Sequence, residues 1–89
     1  MKIIYKYEIP LQYESYIKIP HLYKILSFQQ QCNEIFIWCE IETLNLSDCD
    51  YVKFILIGTG FEIPNDAHEY IGTVVMPTML VWHLYRSLS

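Results

Sequence analysis

The side chains of this chain that could do covalent or metal chemistry are three cysteines (Cys32, Cys39, Cys49), three histidines (His21, His68, His83) and a set of carboxylates. Metal binding needs several of these to converge, and their spacings fit no zinc pattern. Nucleophilic catalysis needs a Cys or Ser beside a His and an orienting carboxylate. Cys39 falls on the apolar side of an alternating run, which predicts an inert core thiol. Cys32 falls in a turn and has no neighbouring group to lower its pKa. Glu40 and Glu42 would share a strand face about 7 Å apart, a separation that suits acid/base work but also an ordinary solvated row. The reading is a non-enzyme with no cofactor and no metal. It binds.

Three groups could carry binding. The tripeptide Gly58-Thr59-Gly60, followed by Phe61, can bare backbone amides in a nest suited to an anion; the structural alternative is that glycine supplies the positive φ of a sharp exit from a strand. It is too short for a dinucleotide fingerprint or a phosphate loop. In Trp82-His83-Leu84-Tyr85-Arg86, alternation puts Trp82 and Arg86 on one face, an arrangement able to hold a nucleobase, a phosphate or a carboxylate. Phe36, Trp38, Glu40 and Glu42 form a row on the solvent side of their strand. Two large rings among carboxylates are unusual for a face that meets only water.

These residues must be positioned by strands, because alternation with period two recurs along the whole chain. Residues 2–9 place Ile3, Tyr5, Tyr7 and Ile9 opposite Lys2, Lys6 and Glu8, and Pro10 ends that run. Residues 15–19 set Ile17 and Ile19 against Tyr16 and Lys18, with Pro20 as the next interruption. Residues 23–30 and 34–42 read as a hairpin around Gln31-Cys32-Asn33, with Ile35, Ile37, Cys39 and Ile41 toward the core. Residues 43–50 read as a polar connection with a helical turn capped by Ser47. Residues 51–57 are apolar on both faces apart from Lys53, as in a central covered strand. Pro64-Asn65-Asp66 predicts a turn opening a short helical turn through His68. Residues 69–76 and 79–86 are two further strands, broken at Pro77. The fold class predicted is all-β: one compact antiparallel sandwich or small barrel of six or seven strands, with at most one short helical turn.

Eighty-nine residues make one domain, 1–89, yet 53% are hydrophobic and the chain holds eight Tyr, four Phe and two Trp. So small a domain cannot enclose them all, and rings left outside predict a partner or a homo-oligomer. The net charge of −4 and six scattered basic residues argue against duplex nucleic acid. No signal-peptide pattern and no membrane-length apolar run is present, and an odd, unspaced set of cysteines fits a reducing cytoplasm.

The fragments Tyr5-Lys6-Tyr7, Ile25-Leu26-Ser27 with Gln29 and Gln31, Ile37-Trp38, Gly58-Thr59-Gly60 with Ile63-Pro64, Tyr70-Ile71-Gly72-Thr73 and Val81-Trp82-His83 occur in this order. Together they resemble a family of small proteins of unknown function encoded mostly in bacteriophages and prophages. The resemblance implies a viral protein acting in the host cytoplasm, and brings no catalytic residues with it. The expected function is antagonism of a host antiviral defence by occluding a defence protein through Phe36, Trp38, Glu40 and Glu42. The alternative is an oligomeric sponge that sequesters a nucleotide signal at Gly58, Thr59, Gly60, Phe61, Trp82 and Arg86. A third reading is a minor virion structural or assembly protein.

Overall fold

In a computed structural model describing residues 1–88, with the side chain at position 45 left aside, the chain forms seven strands. They are β1 (Lys2–Ile9), β2 (Glu14–Pro20), β3 (Tyr23–Gln31), β4 (Glu34–Glu42), β5 (Cys49–Gly58), β6 (Glu69–Val75) and β7 (Val81–Ser87). They divide into a first sheet of order β1-β4-β3 and a second of order β2-β5-β7-β6, antiparallel throughout. The predicted all-β class is correct, and of its two alternatives the sandwich is the one formed; neither sheet closes into a barrel. Principal extents of 41 × 30 × 16 Å suit two layers, since facing sheets stack about 10 Å apart.

The sequence pattern explains the layers. Ile35, Ile37, Cys39 and Ile41 of β4 are all fully buried, and they face Val52, Phe54 and Leu56 of β5 and Leu84 of β7. Ile9, Ile19, Phe28, Val74 and Met76 complete the core, with Ile3 and Tyr7 of β1 packed at its margin. Tyr5, predicted to join them, stays 40% exposed, because β1 is the terminal strand of its sheet. The β3–β4 hairpin closes through Cys32 and Asn33, both left-handed at φ 53° and 67°, the conformation that matches the twist of two tightly joined strands.

Three local expectations need correction. The helical turn in the 43–50 connection is a single 3-10 turn, Thr43–Asn45, which ends before Ser47 and takes no side-chain cap; Ser47 follows it rather than starting it. No helical turn forms through His68: Ala67 N donates to Pro64 O at 3.1 Å and closes only a turn. Pro20 does not precede a break but is the last residue of β2, tolerated because β2 is an edge strand.

From Val52 to Ile57 both faces of β5 are covered, as its composition predicts, but by different means; Tyr51, expected to be covered with them, stays 69% exposed. The inner face meets the first sheet. On the outer face Ile55 and Ile57 are 0% and 4% exposed, because the 59–68 connection returns across them. Asp66 of that connection accepts a hydrogen bond from Lys53 at 2.7 Å, and Thr59 bonds His83 of β7. Lys53, the one charge of the run, is neutralised in place by Asp66 and by Glu14 of β2 at 3.0 Å.

Candidate functional site

The outer face of the first sheet has no such cover among the described residues. Its middle strand, β4, carries Phe36 and Trp38 half-buried, their centroids 6.1 Å apart. Register sets Glu8 beside Phe36, Lys6 beside Trp38, and Ile4 beside Glu40 on the β1 side, with Gln29, Ser27 and Lys24 on the β3 side. Lys6 Nζ lies 4.4 Å from the Phe36 centroid and 5.9 Å from that of Trp38, and donates to Gln31 Oε1 at 2.9 Å. The lysine stem thus roofs the rings while its charge sits over their faces, an attraction worth about 0.5–1 kcal/mol at such exposed sites. Lys2 lies 3.5 Å from Glu40. Ile4 remains 62% exposed along the β1 edge of this surface. The four residues expected to bind a partner, Phe36, Trp38, Glu40 and Glu42, therefore stand on one strand of one open face. Lys6, Ile4 and Gln29 join them; sequence reading alone missed these because strand order decides which rows become neighbours.

The second predicted group is divided by the structure. Gly58 and Trp82 are register partners at the end of β5 and β7, and Phe61 turns back onto them. A Cβ on Gly58 would stand 3.2 Å from Phe61 Cδ2 and 3.5 Å from Trp82 Cζ3, so the glycine lets the two rings close over the strand end. Gly60, at φ +94°, makes the turn that brings Phe61 there. Leu11 and Tyr13, from the connection entering β2, form the other wall of an open cleft of about 460 Å³. Its walls are mostly apolar, and Glu62 is the charged residue among them. Leu11 and Tyr13 carried no sequence signal, since their closeness to Trp82 depends on β2 pairing with β5.

Thr59 points the other way. The His83 ring joins two threonines, Nε2 meeting Thr59 Oγ1 at 2.8 Å and Nδ1 meeting Thr73 Oγ1 at 2.9 Å, and Thr73 meets the Tyr70 hydroxyl. A neutral imidazole donates from one nitrogen and accepts at the other, so the two threonine hydroxyls take opposite roles. A hydroxyl occupies the place where a carboxylate orients the ring in a nucleophile–base triad. The chain of bonds fixes the 59–68 connection to β6 and β7.

Arg86 is not part of the cleft. It lies four residues from Trp82 along β7, about 13 Å away at a strand's rise. Its guanidinium donates to the Tyr23 hydroxyl of β3 and to Glu69 Oε2 of β6 at 2.6 Å, and sits 5.5 Å from the Tyr23 centroid. One cation thereby links the two sheets at the seam where β3 and β6 run side by side.

The cysteines divide by burial. Cys39 is enclosed, and burial pushes its thiol up to about 11, with the Arg86 charge opposing only in part. Cys32 is exposed in its turn, and Cys49 Sγ donates to Leu46 O at 3.2 Å. Burial likewise raises the Tyr7 phenol to about 12, with Cys39, Cys49 and Tyr5 adding to the effect. Among the described residues no three His, Cys, Asp or Glu side chains converge as a metal site, and no helix is long and apolar enough to cross a membrane.

This geometry defines a small antiparallel β-sandwich with one sheet partly covered by the chain's own 59–68 connection, a second without such a segment among the described residues, and a ring-lined cleft at its end. A family model for a domain of unknown function, DUF7352, matches residues 1–89, and the chain belongs to that family. No curated protein and no solved structure matches it.

Proposed function

We propose that this chain is a stoichiometric binding protein that docks on a protein partner through the outer face of the β1-β4-β3 sheet and acts by occlusion rather than by chemistry. The observation that carries this reading is the asymmetry of the two sheets. The second sheet covers its outer Ile55 and Ile57 with the chain's own 59–68 connection. The outer face of the first has no covering segment among the described residues, and holds half-buried Phe36 and Trp38 beside Ile4, which is 62% exposed. Aromatic residues ringed by charges, at the centre of a flat sheet, are the composition of interface hot spots. The resemblance of the fragments described above to phage and prophage proteins supports a viral origin. A host defence component reached in the host cytoplasm is then the partner proposed.

The test is capture from host lysate with the wild-type protein, Trp38→Ala and Phe36→Ala, each checked for a native fold by circular dichroism. Loss of a specific captured protein with the variants is expected. Equal capture by all three would remove this face as the interface.

The end cleft favours a second reading, a small ligand. The cleft of about 460 Å³ has room for a nucleobase-sized ring beside Phe61, Trp82 and Tyr13, but the wall carries Glu62 and no cation, so it favours the ring of a nucleotide signal and not its phosphates. A ligand bound only by the native state stabilises it by about 2.7 kcal/mol at a hundredfold excess over its dissociation constant. Thermal shift with cyclic dinucleotides and NAD-derived signals decides it: no shift excludes the sponge.

A further inference from the structure

Four strands end the two sheets: β1 and β3 in the first, β2 and β6 in the second. Such edges invite pairing unless a proline, a bulge or a charge blunts them, and three of the four carry a proline or a bulge. β2 finishes in Pro20, β3 shifts register between Ile25 and Ser27, and β6 shifts between Tyr70 and Gly72. β1 has neither proline nor bulge: its eight residues run in unbroken register against β4.

The alternation of ladder bonds shows which residues of β1 look outward. Thr43 N donates to Met1 O at 3.0 Å, extending the register in which Lys2 faces Glu42. On the far side of β4, Glu42 N donates to Leu22 O at 3.1 Å. Odd residues of β4 therefore bond to β1 and even ones to β3. By the same alternation, Ile3, Tyr5, Tyr7 and Ile9 bond to β4, and Lys2, Ile4, Lys6 and Glu8 direct their N–H and C=O groups to the free edge.

We propose that two copies of this chain associate by pairing β1 with β1 of the second copy, antiparallel, with Tyr5 facing Tyr5 across a two-fold axis. Only registers that set even residues against even residues satisfy the free edge groups, and charge chooses among them. Centring the axis on Ile4 would place Lys2 opposite Lys6. Centring it on Lys6 would place Lys6 opposite itself. Centring it on Tyr5 places Lys2 opposite Glu8 twice, Ile4 opposite Lys6, and Ile3 opposite Tyr7. Like charges directly opposed are unfavourable and opposite charges favourable, which leaves the Tyr5-centred register and one centred on Tyr7 that opposes Lys6 to Glu8. The latter spans only residues 5–9 and sets Pro10, which has no N–H, opposite Ile4, so the Tyr5-centred register is selected. Lys6 is already drawn inward over Phe36 and Trp38, away from the edge.

The pairing also covers what β1 leaves exposed. Tyr5, 40% exposed, meets its counterpart in a non-hydrogen-bonded pair, where opposing side chains come closest, and Ile4, 62% exposed, becomes a diagonal neighbour of the second Ile4. The contact is isologous and closes on itself, giving a dimer and not a filament. The two three-stranded sheets become one of six strands with the Phe36–Trp38 rows of both copies on the same face. Nothing in the pairing depends on the partner reading of that face.

Sedimentation equilibrium of the purified protein should give twice the 10.7 kDa chain mass. Glu8→Lys should weaken association at least tenfold, and adding Lys2→Glu should restore it, because the swap re-forms the opposite-charge pairs. In a Cys32→Ser/Cys49→Ser background, Tyr5→Cys should link two chains by a disulfide on mild oxidation, and Ile4→Cys, opposite Lys6, should not. A monomeric wild type at every concentration would overturn the proposal. So would a dimer indifferent to Glu8→Lys, or one in which Ile4→Cys links as readily as Tyr5→Cys.

Discussion

Arg86 decides whether the seam of the sandwich is a structural clamp or a free cation, and Arg86→Met separates the two. Methionine keeps most of the apolar stem and removes the charge with all its donors. Hydrogen bonds to charged groups contribute about 1.5–3 kcal/mol each in favourable settings. The Tyr23 bond crosses the sheets beside a guanidinium that is only 22% exposed, so it should count near that range. Glu69 is 43% exposed and regains water when the arginine is lost, so its share falls below about 1 kcal/mol. The expected loss is therefore about 2 kcal/mol, equivalent to a fall in Tm of about 8–16 °C for a domain of this size. Urea unfolding should show a lower midpoint with an unchanged slope, since the surface exposed on unfolding is nearly the same. A double-mutant cycle with Tyr23→Phe should return a coupling of about 1 kcal/mol, and Glu69→Gln alone should cost less. A loss below about 0.5 kcal/mol, the range of ordinary surface substitutions, would refute the clamp and leave Arg86 available to a ligand.

The β3–β4 turn carries a thiol where asparagine is preferred and asparagine where glycine is. Replacing Cys32-Asn33 by Asn-Gly should raise stability by about 1 kcal/mol in urea unfolding; a lower midpoint would contradict the turn geometry. Native labelling with a thiol reagent at pH 8 should modify Cys32 rapidly and leave Cys39 untouched until denaturant is added, and early modification of Cys39 would contradict its enclosure. His21 Nδ1 donates to Asp50 Oδ2 at 2.7 Å, a bond that raises the histidine's pKa, with the Asp50 and Asp48 charges adding to the effect. Stability from this pair is complete below the ordinary histidine value of about 6.5 and is lost as pH rises through the higher folded value. Histidine titration by NMR should place His21 above that ordinary value and lower it toward that value in Asp50→Asn, with the Asp48 charge still raising it. An ordinary His21 in the wild type would sink the assignment.

Alternation made β4 readable because its two faces meet different media, core on one side and water on the other. The same reasoning recovered the covered nature of β5 and set Trp82 and Arg86 on one face. It stopped where strand order begins. That Arg86 meets Tyr23 depends on β3 and β6 lying side by side, and no local pattern encodes which edges of two sheets touch. Leu11 and Tyr13 looked like connection residues until β2–β5 pairing set them beside Phe61 and Trp82. Gly58-Thr59-Gly60 announced a sharp exit, but not that the chain would then fold back over Ile55 and Ile57. The helical turns expected at Ser47 and through His68 failed for a common reason: polar capping residues favour turns of many kinds, and too few residues follow them to propagate a helix.

The order of strands in the two sheets also governs how the molecule can assemble in time. Only β3–β4 and β6–β7 join chain neighbours; β1 must wait for β4 and β2 for β5, each across a large closed loop. Hairpins close in microseconds, whereas sandwiches dominated by distant pairings fold in milliseconds to seconds. The β3–β4 hairpin is then the natural template onto which β1 condenses. Until it does, a tyrosine-rich strand with neither proline nor bulge is without its ladder, and crowding during refolding should divert the chain toward aggregates through that strand before any other.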